Sequence, residues 1–483
     1  MSAGLWTAYE AAAATGGALC ARGGEPGRWV AEEWAAAGVS IDTRSLSAGD
    51  IFVALKDARD GHDFVCNAFE RGAAAALVAR APEDTPSGAP LLIVKNTLDG
   101  LRDLGRAARD RNFGKRIAVT GSAGKTSVKE MLRTALAASG TVHAADKSFN
   151  NHWGVPLTLA RLPMRADYTV VEIGMNHAGE ITPLTRLARP HAAIVTTVAP
   201  AHLEYFGTVE KIAEAKAEIF LGVEAGGAAV LPIDNPHFDL LKARASAAGV
   251  KRLFTFGERQ SADFRLIDYA LKGDEGAVTA SLSGTPVSYR LGAPGLHQAV
   301  NSLAVIAAIH AVGAAVGPAI AALARHVPAE GRGARRLLKL AGGGVATLID
   351  ESYNANPASM AAAIALLGAV KPRGKGRRIA ILGDMLELGP EASALHAALA
   401  GPLYAARVER LYVAGDLMHS LWEQAPEAMR AAKAPTAQGL IETVRAELRH
   451  GDVVMVKGSN ASKVSAIARA LEADPSAPAQ ASA

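Results

Sequence analysis

Seven times this chain runs a short apolar segment into a polar residue and then into a helical pattern: IAVTG, YTVVEIG and AAIVTTV, then VATLID, RRIAILGD, RLYVAGD and DVVMVKGS. Strands buried on both faces read as near-continuous apolar runs, and helices between them cross over to make neighbours parallel. The rhythm therefore predicts an α/β protein with doubly wound parallel sheets. In such sheets ligands gather at the carboxyl ends of the strands. Thr120, Glu172, Asp350, Asp384 and Lys457 each stand where an apolar run ends, and His202 follows shortly after another. The chemistry is expected along those edges.

The length of 483 residues exceeds what one core serves and predicts about three domains. Residues 1–97 read as a small α/β module. Residues 98–327 open on a basic amphipathic helix near Gly100, DGLRDLGRAARDR, and form a central domain with a P-loop-type sheet. Residues 328–473 repeat the strand–helix rhythm as a Rossmann-like domain, and 474–483, DPSAPAQASA, read as a disordered tail.

Composition narrows the class. The 51 basic and 47 acidic residues nearly cancel, leaving +4, and form no cationic block, so no nucleic-acid partner is expected. Two cysteines, Cys20 and Cys66, make neither a disulfide framework nor a C-x-x-C site, which fits a reducing cytoplasm. The N-terminus lacks the basic-then-apolar order of a secretory signal. Between Arg290 and Arg325 no charged residue occurs, long enough to span a bilayer. His297, Gln298, Asn301 and His310, with breaks at Gly313, Gly317 and Pro318, instead predict two buried core helices and no membrane insertion.

The stretch IAVTGSAGKTSVKEM, residues 117–131, is a strand, a glycine turn and a helix start. Backbone N–H groups converging in such a turn, with the helix N-terminus behind them, bind phosphate. Gly121 to Ser127 thus form a candidate cradle (Gly121, Ser122, Ala123, Gly124, Lys125, Thr126, Ser127). Lys125 is placed to neutralise phosphate charge and the Thr126 hydroxyl to meet Mg²⁺. Val119 stands where the common P-loop spacing has a further glycine, so the loop is short. The competing reading is an ordinary βα turn with a solvated lysine.

A magnesium ion asks for hard oxygen ligands nearby. Glu172 is the first candidate, because a carboxylate ending a buried strand is costly without a partner. His202 is a second, with a hydrogen-bonded structural histidine as the alternative. Lys216 falls four residues from both Ile212 and Phe220, on the apolar stripe of the helix that follows Thr208. Burial favours its neutral amine, which CO₂ can carbamylate into an anionic oxygen ligand. The alternative is a stem lying on apolar surface with its ammonium in water.

Longer strings carry a family resemblance: TGSAGKTS at the loop, NNHWGVPLTL at 150–159, EIGMNHAGEI at 172–181, AHLEYFGTVEKIAEAKAEIF at 201–220, LIDESYNANPASM at 348–360, ILGDMLELG at 381–389 and VKGS at 456–459. The chain resembles the Mur ligases over nearly its whole length apart from the tail, and SYNANP points to the branch that adds D-alanyl-D-alanine. The resemblance implies ATP- and Mg²⁺-dependent amide synthesis in cytoplasmic peptidoglycan assembly. A UDP-N-acetylmuramoyl-tripeptide carboxylate is phosphorylated to an acyl phosphate, which the dipeptide amine then attacks. It further implies that Lys125 and Thr126 hold phosphate and metal, that Glu172 and His202 serve Mg²⁺, and that Lys216 is the carbamylated lysine. Asn301, Arg332 and Asp350 match contacts to adenine, phosphate and ribose, with Arg335 and Arg336 close enough to compete for the phosphate. Thr43, Arg44 and Ser45, in DTRSLSAGD, match the UDP-binding module, and Asn150, Asn151, Tyr353, Asn354, Asn356 and Lys457 match substrate-binding strings. The family often has His-Asn at 297–298, where this chain has His297-Gln298, and an asparagine at Thr197. A monomer is expected. Two other readings stand beside this one: another amide ligase of the superfamily, such as an amino-acid-adding Mur enzyme or a folylpolyglutamate synthetase, and a nucleotide-binding regulatory module without catalysis.

Overall fold

The computed structural model describes residues 4–21 and 34–473. Three main sheets follow one another along the chain. The first has five strands in the order Ala18–Ala21, Pro90–Ile93, Ala75–Val78, Asp50–Val53 and Gly38–Ser40, parallel except for the antiparallel edge pair at Ala18–Ala21. The expected tail 474–483 lies outside the described residues.

The central sheet has nine strands. Its parallel part runs Val142–Ala144, Tyr168–Glu172, Lys115–Thr120, Ala192–Val195, Ala228–Pro232, Arg252–Gly257 and Phe264–Lys272. Chain order reverses at Lys115–Thr120: the next two strands lie to one side of it, and those from Ala192 onward lie to the other. Such a switch point opens a crevice at the strand ends. One face of the sheet is covered by Lys125–Leu136 and Leu296–Ala311 around Ile117, Val119, Val230 and Ile306. The other is covered by Ile181–Ala188, Val209–Ala217 and Phe238–Ala247 around Val171, Ile194's neighbour Val195, and Ile212. Each such fully buried aliphatic side chain contributes about 1.5–3 kcal/mol by leaving water.

The charge-free stretch forms two helices, as expected, but of the expected breaks only Gly313 lies between them: Gly317 and Pro318 stand exposed in the first turn of the second helix, which is only partly buried. Leu296–Ala311 is buried on nearly every side, and Val316–Leu323 buries Ala319, Ala322 and Leu323. Among the described residues no helix is long and apolar enough to cross a membrane. The basic amphipathic helix starts earlier than Gly100, at Thr97, because the Asn96 side chain accepts from the N–H groups of Leu98 and Asp99 and caps it there.

Two features go beyond the strand–helix rhythm. Phe264–Lys272, Glu275–Leu282 and Thr285–Leu291 form an antiparallel meander that extends the central sheet. Its strands alternate polar and apolar residues, a period-2 signal that an apolar-run criterion passes over. The third sheet, in the order Ala334–Lys339, Val345–Glu351, Val453–Lys457, Arg378–Gly383, Arg410–Ala414 and Arg430–Ala434, is parallel but for an antiparallel first strand. That strand, ARRLLK, carries three cations on an edge and so lacks an apolar run.

Candidate active site

The phosphate loop sits at the switch point. Gly121 has φ +151°, and a Cβ there would meet Thr196 Oγ1, at the end of the neighbouring strand, at 1.8 Å. Gly124 has φ +82° and is the N-cap of Lys125–Leu136. Neither position admits a side chain without strain. The loop is tied from behind: Ser122 N donates to Thr197 O at 2.9 Å, Ser122 Oγ donates to Ala199 O at 2.9 Å, and Thr196 Oγ1 donates to Ala123 O at 2.5 Å. Val128 N donates to Gly124 O, the first helical bond, so the N–H groups of Lys125, Thr126 and Ser127 form the open helix end. Lys125 folds its ammonium onto Gly121 O at 2.8 Å. Burial pulls that ammonium below the ordinary lysine value; Glu172 opposes the shift and Arg332 adds to it.

Beside the loop, Thr126 Oγ1 donates to Glu172 Oε2 at 2.8 Å, and Asn150 Nδ2 donates to Glu172 Oε1 at 2.8 Å. Glu172 is only 2% exposed and appears in no ion pair among the described residues. A buried carboxylate with neutral donors and no cation on it, next to a hydroxyl, is a hard-oxygen pair of the kind Mg²⁺ takes while keeping several waters. Among the described residues no cluster of three or more acidic, histidine or cysteine side chains forms a closed metal cage, which suits an ion shared with phosphate oxygens.

Lys216 is buried, 1% exposed, so the snorkelling alternative fails. Its Nζ lies 3.5 Å from Met175 Sδ, just behind the cavity wall that Met175 forms. Burial first, then repulsion from Lys125, hold its amine well below the ordinary lysine value. His202 stands in the left-handed region at φ +58°, with Nδ1 2.5 Å from Glu387 Oε2. Burial pulls its imidazole down, as do Lys125 and Lys216, against the upward pull of Glu387.

A cavity of about 990 Å³ opens between the carboxyl ends of the central and third sheets. Ser122 to Ser127, Asn150, Glu172, His202, Asn301, Arg332, Tyr353, Asn354, Asn356 and Lys457 all line it. Arg332 is the one of the three neighbouring arginines that faces it. Its guanidinium stacks on Tyr353 at 4.0 Å and donates to Ser148 Oγ at 3.2 Å. Arg335 instead binds Gly273 O and Asp274, and Arg336 pairs with Glu472. Lys457, 2% exposed, donates to Asn354 O at 2.9 Å and lies 3.4 Å from Glu351.

Other expected residues stand apart. Asp350 is buried behind the wall, accepting from Gly331 N, Ser352 N and Ser352 Oγ. Asn151 is exposed, its Oδ1 accepting from Trp153 N and Gly154 N at the start of the helix Gly154–Ala160. Thr43, Arg44 and Ser45 form a short turn in the first sheet's region, where Asp42 caps Arg44 N and pairs with its guanidinium at 2.6 Å. Three further residues join the site without having been singled out: Ser148, 3.2 Å from Thr126 Oγ1; Met175, against Lys216; and Glu387, on His202. Ser148 and Met175 lie within or beside strings that resemble the family, and nothing in residue type marks them.

Comparison with known proteins agrees with this geometry. Residues 119–309 match the Mur ligase middle domain and 335–460 the Mur ligase glutamate ligase domain. The chain is 35% identical to UDP-N-acetylmuramoyl-tripeptide–D-alanyl-D-alanine ligase of Escherichia coli, over 90% of this chain and 93% of that protein. It is 33% identical to the enzyme of that name from Bacillus subtilis, over 91% and 93%. Among solved structures, MurF from Acinetobacter baumannii superposes with a TM-score of 0.83 at 27% identity, covering 97% of this chain and 99% of that one. MurF ligase from Thermotoga maritima in complex with ADP superposes at 0.76 and 26% identity, covering 90% and 97%. The chain belongs to the Mur ligase family, as a member of its UDP-N-acetylmuramoyl-tripeptide–D-alanyl-D-alanine ligase branch.

Proposed function

We propose that this chain joins D-alanyl-D-alanine to UDP-N-acetylmuramoyl-tripeptide, using ATP and Mg²⁺, at the cavity between the central and third sheets. The observation that carries the reading is the Thr126–Glu172 pair, a hydroxyl on a buried carboxylate that has only neutral donors, Thr126 and Asn150, at the mouth of a phosphate loop. When bound, ATP supplies the phosphoryl group that activates the peptide carboxylate, and Mg²⁺ neutralises charge as two anions approach.

The chain's own residues divide the work. Gly121 to Ser127 present backbone N–H groups and the Lys125 ammonium to phosphate. Thr126 and Glu172 hold the metal side, with His202 next to them. Burial holds the Lys216 amine well below the ordinary lysine value, which favours the neutral form that CO₂ takes, and the carbamate would give a second anionic oxygen ligand. Asn301 lies against Gly124 and reads the nucleotide, and Arg332 reaches phosphate from the third sheet. Tyr353, Asn354, Asn356 and Lys457 face the incoming dipeptide, while Thr43, Arg44 and Ser45 bind the uridine diphosphate. Residues 1–97, 98–327 and 328–473 then serve the UDP-substrate, ATP and the dipeptide in turn. A cavity walled by two sheets keeps water from the activated carboxylate. We place the enzyme in the cytoplasm, as a monomer.

The test is phosphate release by the purified chain with ATP, UDP-tripeptide and D-alanyl-D-alanine. Release should require both acceptor and dipeptide. Release with a single amino acid in place of the dipeptide would assign the chain to another amide ligase of the superfamily.

A further inference from the structure

The string ILGDMLELG ends the strand Arg378–Gly383 and continues as a finger toward the central sheet. Met385 and Leu388 are buried in the third sheet's core, and Met385 N donates to His396 Nε2 at 2.9 Å. Glu387 sits between these two anchors and points the other way. Its carboxylate meets His202 Nδ1 at 2.5 Å, and its carbonyl accepts from Glu204 N at 3.2 Å. Gly389, at φ +60°, brings backbone within 3.3 Å of Glu204 Cα for an added Cβ. Glu387 and His202 are both non-glycine residues in the left-handed region, at φ +61° and +58°. Such backbone persists only where its surroundings hold it, and it marks functional sites often.

A carboxylate only accepts, so the imidazole proton in this contact is on Nδ1. The ring nitrogen left for the cavity is Nε2. A ligating histidine whose other nitrogen donates to a carboxylate is fixed in tautomer and orientation. Here that carboxylate comes from a different sheet, 185 positions along the chain.

We propose that Glu387 is a positioning residue for His202, so that docking of the third sheet's finger on the central sheet completes the metal side of the site. The proposal rests on the ligase reading for what His202 serves.

The test uses the full-length chain. E387G is the main variant, because glycine accepts φ +61° without strain and removes the carboxylate together with its two-carbon stem. E387Q, whose amide oxygen still accepts from Nδ1, is the second. Two readouts are made: the ¹⁵N signature of the His202 ring, assigned by its loss in H202Q, and the Mg²⁺ concentration that half-saturates ADP binding in calorimetry. E387G should lose the single Nδ1–H tautomer and raise the half-saturating Mg²⁺ by about ten- to a hundredfold. E387Q should keep the tautomer and most of the Mg²⁺ response. A residue serving stability alone would lower the melting temperature and leave both readouts where they were. If E387G retains either the wild-type ring signature or the wild-type Mg²⁺ response, the proposal is overturned. Absence of phosphate release by the unmodified chain would sink the ligase reading instead, which these two readouts do not depend on.

Discussion

Asn356 and Ser122 stand 234 positions apart in the chain, and Asn356 Nδ2 donates to Ser122 O at 3.0 Å. The same side chain caps the helix Pro357–Ala369, its Oδ1 accepting from Ser359 N at 2.9 Å. One residue therefore starts a helix of the third sheet's layer and bridges to the phosphate loop of the central sheet. Serine caps nearly as well as asparagine but is too short to bridge. N356S should leave unfolding free energy within about 0.5 kcal/mol of wild type and raise the KM for ATP several-fold, near the worth of one hydrogen bond. N356A should cost about 1 kcal/mol more in urea unfolding. Equal KM values for N356S and wild type would show that the bridge does not hold the loop.

Glu172→Gln keeps the size of the side chain and removes its charge. Asn150 can turn its amide to restore both bonds, so the melting temperature should change little. Turnover should fall by about 100-fold or more, as when a preorganised charge at a reacting phosphate is lost. An E172Q enzyme with near-normal turnover would remove Glu172 from the metal site.

Gly121→Ala places a Cβ 1.8 Å from Thr196 Oγ1 on a backbone that L side chains rarely adopt. The expected cost is about 2–4 kcal/mol in urea unfolding, from overpacking and left-handed strain together. T196A in the same chain removes the nearest atom and should return about 1 kcal/mol, so the two changes are not additive. Strict additivity would mean that the clash is relieved elsewhere.

Lys216 gives a pH-dependent prediction. Its folded-state value lies well below the ordinary 10.5. As pH falls through 10.5 the unfolded chain takes up a proton that the folded chain does not, so folding is penalised. The penalty stops growing below the folded value, where both states are protonated. In CO₂-depleted buffer K216M should therefore melt higher than wild type at pH 7, with the difference shrinking toward pH 10.5, while its ligase activity is lost. K216A should lose turnover by about 100-fold or more, and short carboxylic acids should restore part of it by supplying the missing oxygen anion. Full activity in K216A would rule out the carbamate.

Much of this was legible in residue order, for physical reasons that differ from element to element. Three parallel strands of the central sheet, Lys115–Thr120, Tyr168–Glu172 and Ala192–Val195, were plain because burial on both faces makes them near-continuous apolar runs, whereas Val142–Ala144, Ala228–Pro232 and Arg252–Gly257 were not singled out. Lys216 was placed on a buried face by helical spacing alone, and it is 1% exposed. The meander Phe264–Leu291 was passed over because a half-exposed antiparallel strand alternates rather than running apolar. The edge strand Ala334–Lys339 was passed over because its cations hide it. Among the three arginines, Arg332 stands in the turn before the strand, between Gly331 at φ +71° and Gly333 at φ +97°, whereas Arg335 and Arg336 lie on Ala334–Lys339 and are aimed by its pairing with Val345–Glu351.

Residue order alone set the local parts: a strand, glycine turn and helix start that must open N–H groups at one point, and strand ends that must carry the polar residues. These follow from short-range sterics and from the cost of burying charge, which residue types and spacing express directly. Which distant groups complete them was settled by the packing of remote segments. Glu387 on His202, Asn356 on Ser122 and Ser148 between Thr126 and Arg332 join segments 22 to 234 positions apart. Beyond the local helix cap that Asn356 makes, no local energy term marks those residues for their distant partners; the packing of one segment on another selects them.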